Sequence, residues 1–251
     1  MERRDRAIVT AGLAGLSCLA WLYLIYDGTT HLTCRALMGV APHAWGATHV
    51  ALLFAMWAVM MVAMMVPSVS PMVLTFALVN RQRREHARPF VPTWMFLCGY
   101  LVAWAVFSAL ATLGQWALHA SALVSSAMVV TSPWVAAALL IAAGLFQLTP
   151  LKRACLVHCR TPLTFLMTEW REGWFGAFLM GLRHGAYCVG CCWILMSVLF
   201  VAGVMNVFWI AAISLVVLAE KILPTGPGFS RTAGWLLMAG GGTWLVSGAL
   251  R

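Results

Sequence analysis

Residues 48–79, THVALLFAMWAVMMVAMMVPSVSPMVLTFALV, form one apolar run without a single charged side chain. About 20 consecutive apolar residues are enough for a helix to span a lipid bilayer. A strand of a membrane barrel would instead alternate apolar and polar residues over about 10 positions, and this run does not alternate. It therefore predicts a transmembrane helix, and Pro67 and Pro71 predict a kink or break near its end.

The rest of the chain has the same character as this run. The 251 residues are 63% hydrophobic and 9% charged, whereas a soluble domain averages about 25% charged residues. The first apolar run is too long for the core of a signal peptide and no good cleavage site follows it, so we expect it to be a retained helix. We predict an all-α fold, a polytopic membrane helix bundle forming a single transmembrane domain over residues 1–251. Its segment 150–173 is amphipathic and is expected to be an interfacial helix. We predict about seven spans, at residues 7–26, 48–79, 92–117, 133–149, 174–202, 205–222 and 231–250.

The positions of the basic residues support this plan. Of the 16 Lys and Arg residues, 13 lie in alternate connecting segments, as the positive-inside rule requires of cytoplasmic loops. We therefore expect a bacterial inner-membrane protein with a cytoplasmic N-terminus and a periplasmic C-terminus. The net charge of +9 does not indicate nucleic-acid binding, because the chain has no basic helix and no aromatic-basic platform. The bilayer is the expected partner.

A methionine motif lies at the centre of the run 48–79. On a helix, Met56, Met60 and Met64 form one stripe about 80° wide, beside Met61 and Met65. Thioether sulfur is a soft ligand that suits Cu(I). Methionine is also an adaptable apolar residue that fills gaps in packed helices, and that alternative remains open.

A histidine and cysteine motif, HGAYCVGCC, occupies residues 184–192. With His184 at zero on a helical wheel, Cys188 lies at about 40° and Cys191 at about −20°. Cys192 follows at about 80°. One helix face thus presents an imidazole and two or three thiols, which favour zinc, copper or iron over calcium or magnesium. Alternatively, these groups form hydrogen bonds that hold helices together.

A second thiol cluster, CLVHC, lies in the interfacial segment and contains Cys155, His158 and Cys159. The two cysteines are four residues apart, so they share a helix face. The nearby Lys152 and Arg153 are expected to lower the pKa of these thiols and favour thiolate. Metal entry, a second metal site, a thiol pair facing the cytosol and a structural role all remain open.

The remaining candidates are weaker. Glu220 and Lys221 close the sixth predicted span and are most simply an interfacial ion pair. His31, His43 and His49 lie in or beside the longer outer loop without close spacing. The chain contains no nucleotide-binding, metalloprotease or serine-hydrolase motif.

Four motifs together resemble a known bacterial family. They are MWAVMMVAMMVPS at 56–68, QLTPLKRACLVHCRTP at 147–162, GLRHGAYCVGCCW at 181–193 and AEKILP at 219–224. The chain is similar over roughly residues 45–250 to a domain-of-unknown-function family of predicted metal-binding integral membrane proteins. The resemblance implies metal binding, and it implies a small protein partner because members are often encoded beside a second small protein. The oligomeric state, including a homo-oligomer, stays open.

These motifs lead to three hypotheses. The first is a membrane protein that binds a transition metal, with copper favoured, for metal handling or delivery. Its metal ligands are drawn from Met60, Met64, His184, Cys188, Cys191, Cys192, Cys155, Cys159 and His158. The second is a metal-dependent membrane oxidoreductase acting on a small apolar or gaseous substrate, and whether the protein is an enzyme is left open. The third is a structural membrane anchor for a soluble partner, which predicts insensitivity to cysteine substitution.

Overall fold

The fold is helical, as the apolar runs predict. A computed structural model describes residues 3–30, 45–85, 91–125 and 128–249. Within these ranges there is no β-strand, only an isolated bridge between Val124 and Val130. The helices are α1 Arg3–Thr30, α2 Ala47–Glu85, α3 Thr93–Ala120, α4 Pro133–Leu148, α5 Pro150–Arg160, α6 Pro162–Glu169, α7 Gly173–Ser197, α8 Leu199–Ala202, α9 Val207–Ile222 and α10 Gly226–Ala249.

Each of the seven predicted spans contains a helix, but fewer than seven are long and apolar enough to cross a bilayer. Four qualify in the described chain, and the pair α4 and α5, bent by 63° at their junction, makes a fifth if it counts as one span. The helices α4 and α9 have 16 residues each, about 24 Å at 1.5 Å per residue, against a hydrocarbon core of about 30 Å. The four qualifying helices are Arg4–Thr30, Ala47–Arg83, Thr93–Ala120 and Gly173–Ala202.

The long helix α2 continues through both prolines, so of the expected kink or break the break does not occur. Pro67 has no backbone N–H, which leaves the carbonyl oxygen of Ala63 without its helical partner. The indole nitrogen of Trp21, on α1, donates a hydrogen bond to that oxygen at 3.0 Å. A side chain of the neighbouring helix therefore replaces the missing donor and keeps α2 helical.

Glycines bring α3 and α7 into direct backbone contact. A Cβ atom on Gly181 would overlap the carbonyl oxygen of Phe96, and one on Gly99 would overlap that of Phe178. A Cβ atom on Gly185 would lie 2.6 Å from the Cβ of Ala103. Small residues of this kind allow membrane helices to approach closely. We call the contact through Gly99, Gly181 and Gly185 the glycine seam.

The outer surface of the bundle is rich in large apolar side chains. A water-soluble monomer rarely exposes large contiguous apolar patches, so this surface is compatible with contact to lipid. The segment 150–173, predicted to be interfacial, forms the two short helices α5 and α6. Exposed apolar residues include Leu110, Leu113, Leu215, Trp235 and Leu236.

Candidate functional site

The helix α7 places its histidine and cysteines in the interior of the bundle. His184 is 2% exposed, and Cys188, Cys191 and Cys192 are at most 1% exposed. The thiols of Cys191 and Cys192 donate to the backbone oxygen of Cys188, at 3.1 and 2.9 Å. The predicted face of α7 is therefore the buried face, and its cysteines lie within one turn of each other.

The sulfur of Cys188 is one member of a ring of hydrogen-bonded residues that joins four helices. The Nζ of Lys221, on α9, donates to it at 2.8 Å, and the hydroxyl of Tyr100, on α3, lies 3.1 Å away. Lys221 also donates to the Oγ of Ser68 at 3.0 Å. On α2, Ser68 lies 4.0 Å from the sulfur of Met65, whose backbone oxygen accepts from Tyr100 at 3.3 Å. We call these five residues the Cys188 ring.

His184 lies beside this ring in a box of aromatic side chains. Its imidazole centroid is 5.1 Å from that of Phe165, and 6.1 Å from those of Phe96 and Tyr100. Its Nδ1 atom is buried and has no hydrogen-bond partner in the described part of the chain. Buried polar atoms are nearly always satisfied, so this nitrogen is available to a ligand.

The interfacial helix α5 brings Cys159 to the same cluster. Cys159 is buried in the same core as Cys188 and Cys191. Cys155 lies one turn away, where a Cβ atom on Gly190 would be 3.1 Å from its sulfur. His158 faces differently: its ring stacks on Tyr187 with centroids 4.1 Å apart. The structure thus joins Cys159 to the α7 cysteines and leaves His158 beside Tyr187.

The expectation that Lys152 favours a Cys155 thiolate is wrong. Burial, together with the neighbouring Cys191, raises the pKa of the Cys155 thiol above its ordinary value. The reason is that Lys152 does not face the thiols. Its Nζ lies 2.7 Å from the Oε2 of Glu220, and both side chains are only 1% exposed.

Glu220 and Lys221, predicted as a pair with each other, have separate partners. Neighbouring residues on a helix point about 100° apart. Glu220 therefore faces α5, where Lys152 binds it, and its other carboxylate oxygen accepts from Gln147 at 3.1 Å. Lys221 faces the Cys188 ring. One residue belongs to a buried ion pair and the next to the candidate site.

The methionines of α2 are all buried, with Met60 and Met64 at 0% exposure. Met65, rather than the two that the stripe favoured, belongs to the Cys188 ring. The backbone oxygen of Met64 accepts from Ser214 of α9 at 3.4 Å. Helix α2 therefore reaches the candidate site, but through a residue of the second methionine stripe.

The described residues do not form a ready-made polydentate cage. Within residues 3–30, 45–85, 91–125 and 128–249, no group of three or more His, Cys, Asp or Glu side chains is arranged to hold an ion. The donors present are soft sulfur atoms and one imidazole, the set that suits Cu(I). His31 and His43 lie outside the described residues, and His49 accepts a hydrogen bond from the Gly46 backbone nitrogen.

The sequence did not single out Tyr100, Ser68 or Lys221 as parts of this site. A signal for each was present, since hydroxyl and ammonium groups inside apolar helices are costly unless they are paired. Lys221 is 8% exposed and Tyr100 0%. The periodicity of one helix does not show which residue of another helix its side chains contact.

The comparisons with known proteins point to one family. A family model described as PpoB2, copper chaperone, matches residues 54–244. No curated protein and no solved structure matches the chain. The matched range contains every predicted ligand from Met60 to Cys192, and also Lys221. The metal-related character that the four motifs implied is thus supported, and the metal named is copper.

Proposed function

This chain belongs to the copper chaperone family, and from that premise we propose that it is a multi-pass membrane protein that binds Cu(I) and delivers it to another protein. Four to five helices suitable for a bilayer support membrane integration. The alternation of basic segments supports the bacterial inner membrane, seven spans, a cytoplasmic N-terminus and a periplasmic C-terminus.

The observation that carries the proposal is the Cys188 ring with its neighbouring thiols. Thiols from two helices, Cys159 on α5 and Cys188 on α7, are buried in the same core of the bundle. Cys191 extends the set on α7, and the unpartnered nitrogen of His184 adds an imidazole donor. Cu(I) accepts few ligands and prefers soft sulfur, so a small thiol group suffices. In this proposal two of these donors hold the ion at a time, drawn from Cys159, Cys188, Cys191 and His184, with Met60, Met64 and Cys192 as further soft donors.

Lys221 stabilises the copper-free site in the bundle interior. Its ammonium group contacts Cys188 at 2.8 Å and compensates negative charge on that sulfur. A lone charge in a dry interior is costly. Cu(I) also carries one positive charge, so it can take the place of the ammonium at this sulfur, and any further thiol that binds the ion releases its proton. The site then exchanges one cation for another.

Cys155 and Cys159 provide a route between the site and the cytosolic side. They lie one turn apart on α5, and Cys155 is only half-buried, whereas Cys159 is buried in the core that contains the α7 thiols. Ligand exchange from one sulfur to the next would move the ion along this turn of α5. His158, beside Tyr187, lies at the same end of the route.

Copper stoichiometry tests the proposal. The full-length protein is purified in detergent under anaerobic conditions, loaded with Cu(I), and its copper is measured by elemental analysis. We expect that the double variant Cys159→Ser with Cys188→Ser loses its bound copper. Cys18→Ser is the matched control, because Cys18 is an exposed residue of α1, and it should keep the copper of the wild type.

Unchanged copper content in the double variant would contradict the proposal. It would also favour the anchor hypothesis, which predicts insensitivity to cysteine substitution. No contact in the described residues specifically favours the oxidoreductase hypothesis. The vicinal thiols Cys191 and Cys192 both donate to a backbone oxygen.

A further inference from the structure

A cavity of about 180 Å³ lies away from the Cys188 ring, between the end of α4, the helix α5 and the beginning of α10. None of the sulfur donors lines it, and nothing in the proposed copper route uses it. Its walls combine apolar side chains with cations and small polar groups. The residues that matter for its chemistry are Gln147, Lys152, Arg153, Arg160, Ser230 and Arg231.

The cavity is strongly positive. Four cationic side chains line it, and no carboxylate belongs to the described lining. The charge of Lys152 is compensated by Glu220, so the charge left over belongs to three arginines. Arg160 is held in place because its Nη2 atom donates to the backbone oxygen of Leu223 at 2.7 Å. Arg153 and Arg231 are exposed at the rim, where they can attract an anion.

Two buried polar atoms in the cavity lack partners in the described chain. They are the Oγ of Ser230 and the Oε1 of Gln147, in side chains 4% and 1% exposed. A buried polar group without a hydrogen bond costs about 1–3 kcal/mol. The hydroxyl of Ser230 can donate to an anion, while the Gln147 oxygen can only accept. A ligand that satisfies both atoms must carry a hydrogen-bond acceptor and a hydrogen-bond donor, and a phosphate with a hydroxyl carries both.

We propose that this cavity binds a phosphate group that bears or adjoins a hydroxyl. The arginines neutralise its charge, Ser230 donates to a phosphate oxygen, and Gln147 accepts from the hydroxyl. Guanidinium groups are the side chains best suited to phosphate. The phosphate belongs either to a glycerol head group of an anionic phospholipid or to a free phosphate ion. Basic pockets on the cytoplasmic side of membrane helices bind such head groups, and only the lipid source depends on the membrane location proposed above.

The test uses full-length protein purified in detergent, with three probes. Phosphatidylglycerol and the zwitterionic phosphatidylcholine are added to the micelles, and the lipid retained is counted by native mass spectrometry. Inorganic phosphate is added separately, and the shift of the thermal unfolding midpoint is measured. The variants are Ser230→Ala and Arg231→Gln. Arg6 is an exposed arginine of α1, and Arg6→Gln is the control because it changes the charge by the same amount as Arg231→Gln.

We expect Arg231→Gln to weaken binding about fivefold, the factor for about 1 kcal/mol per basic residue near the surface. Ser230→Ala should weaken it about tenfold, since a hydrogen bond to a charged group contributes about 1.5–3 kcal/mol. Without ligand, Ser230→Ala should unfold no earlier than the wild type, because its hydroxyl has no protein partner to lose. Copper content should stay unchanged in both variants, which separates this test from that of the copper site.

Preferential retention of phosphatidylglycerol, reduced in both variants but not in Arg6→Gln, supports the lipid source. Stabilisation by inorganic phosphate with the same pattern of variants supports the free ion. Binding that is absent for both probes overturns the proposal. Binding that is equal in Ser230→Ala, Arg231→Gln and Arg6→Gln overturns it as well, because the anion would then lie elsewhere.

Discussion

Removing one partner of the ion pair between Lys152 and Glu220 should destabilise the bundle severely. The two charges are 2.7 Å apart, and each side chain is 1% exposed. Glu220→Gln keeps the size of the side chain and removes its charge. The ammonium group of Lys152 then remains buried without its counter-charge.

The expected loss follows from this burial. Breaking a buried ion pair costs about 3–5 kcal/mol, because the remaining charge is desolvated and uncompensated. Lys152→Met should cost a similar amount, since it leaves the carboxylate of Glu220 alone. Replacing both residues by apolar ones of similar volume is commonly neutral or stabilising. The double variant Lys152→Met with Glu220→Leu should therefore be more stable than either single variant, with a coupling energy of at least about 3 kcal/mol.

Unfolding of the purified protein by increasing amounts of a denaturing detergent measures these differences. Arg183→Gln is the control, because the ion pair of Arg183 with Glu169 has side chains 45% and 19% exposed. Exposed pairs contribute about 0–1 kcal/mol. If Glu220→Gln costs no more than Arg183→Gln, the pair is not in a dry interior. The packing of α5 against α9 described above would then be refuted.

Three further predictions concern other contacts. Trp21→Phe should cost about 1–3 kcal/mol in the same unfolding assay, because it removes the donor that replaces the missing N–H of Pro67. In a Pro67→Ala background the backbone supplies that donor, and an undiminished cost would contradict this explanation. Gly181→Ala should cost about 1–3 kcal/mol or more through overlap with α3, whereas Gly12→Ala, which meets open space, should cost nothing. Lys221→Met should slow copper transfer to a soluble Cu(I) chelator about tenfold or more. In the wild type the ammonium group returns to Cys188 as copper leaves, and this contact contributes about 1.5–3 kcal/mol. Equal or faster transfer in the variant would contradict cation exchange at Cys188.

The positions of the helices could be predicted because apolar runs are a local property. The predicted span 92–117 lies almost entirely within α3, Thr93–Ala120, and the span 205–222 ends with α9 at Ile222. The number of membrane crossings does not follow from the apolar runs alone, since a run such as 133–149 is apolar but short. The continuity of α2 depends on Trp21, a residue of another helix. No pattern within α2 itself contains that information.

The candidate site, like the fold, could be predicted from the sequence only in part. Helical periodicity placed His184, Cys188 and Cys191 on one face, and that face is buried. The periodicity did not reveal that Lys221 contacts Cys188. It also did not reveal that Glu220 pairs with Lys152 and not with Lys221. Such pairs join residues 33 and 68 positions apart. They depend on how the helices pack, which no single stretch of sequence determines.

The glycine seam limits what can move when the proposed site exchanges its cation. Backbones in direct contact cannot slide past each other without collision, so α3 and α7 carry Tyr100 and Cys188 as one rigid unit. Lys221 reaches the same sulfur through four methylene groups from α9. Rotation of that one side chain would break the ammonium contact, while Tyr100 stays beside Cys188. The proposed exchange of cations would then require no rearrangement of the helices.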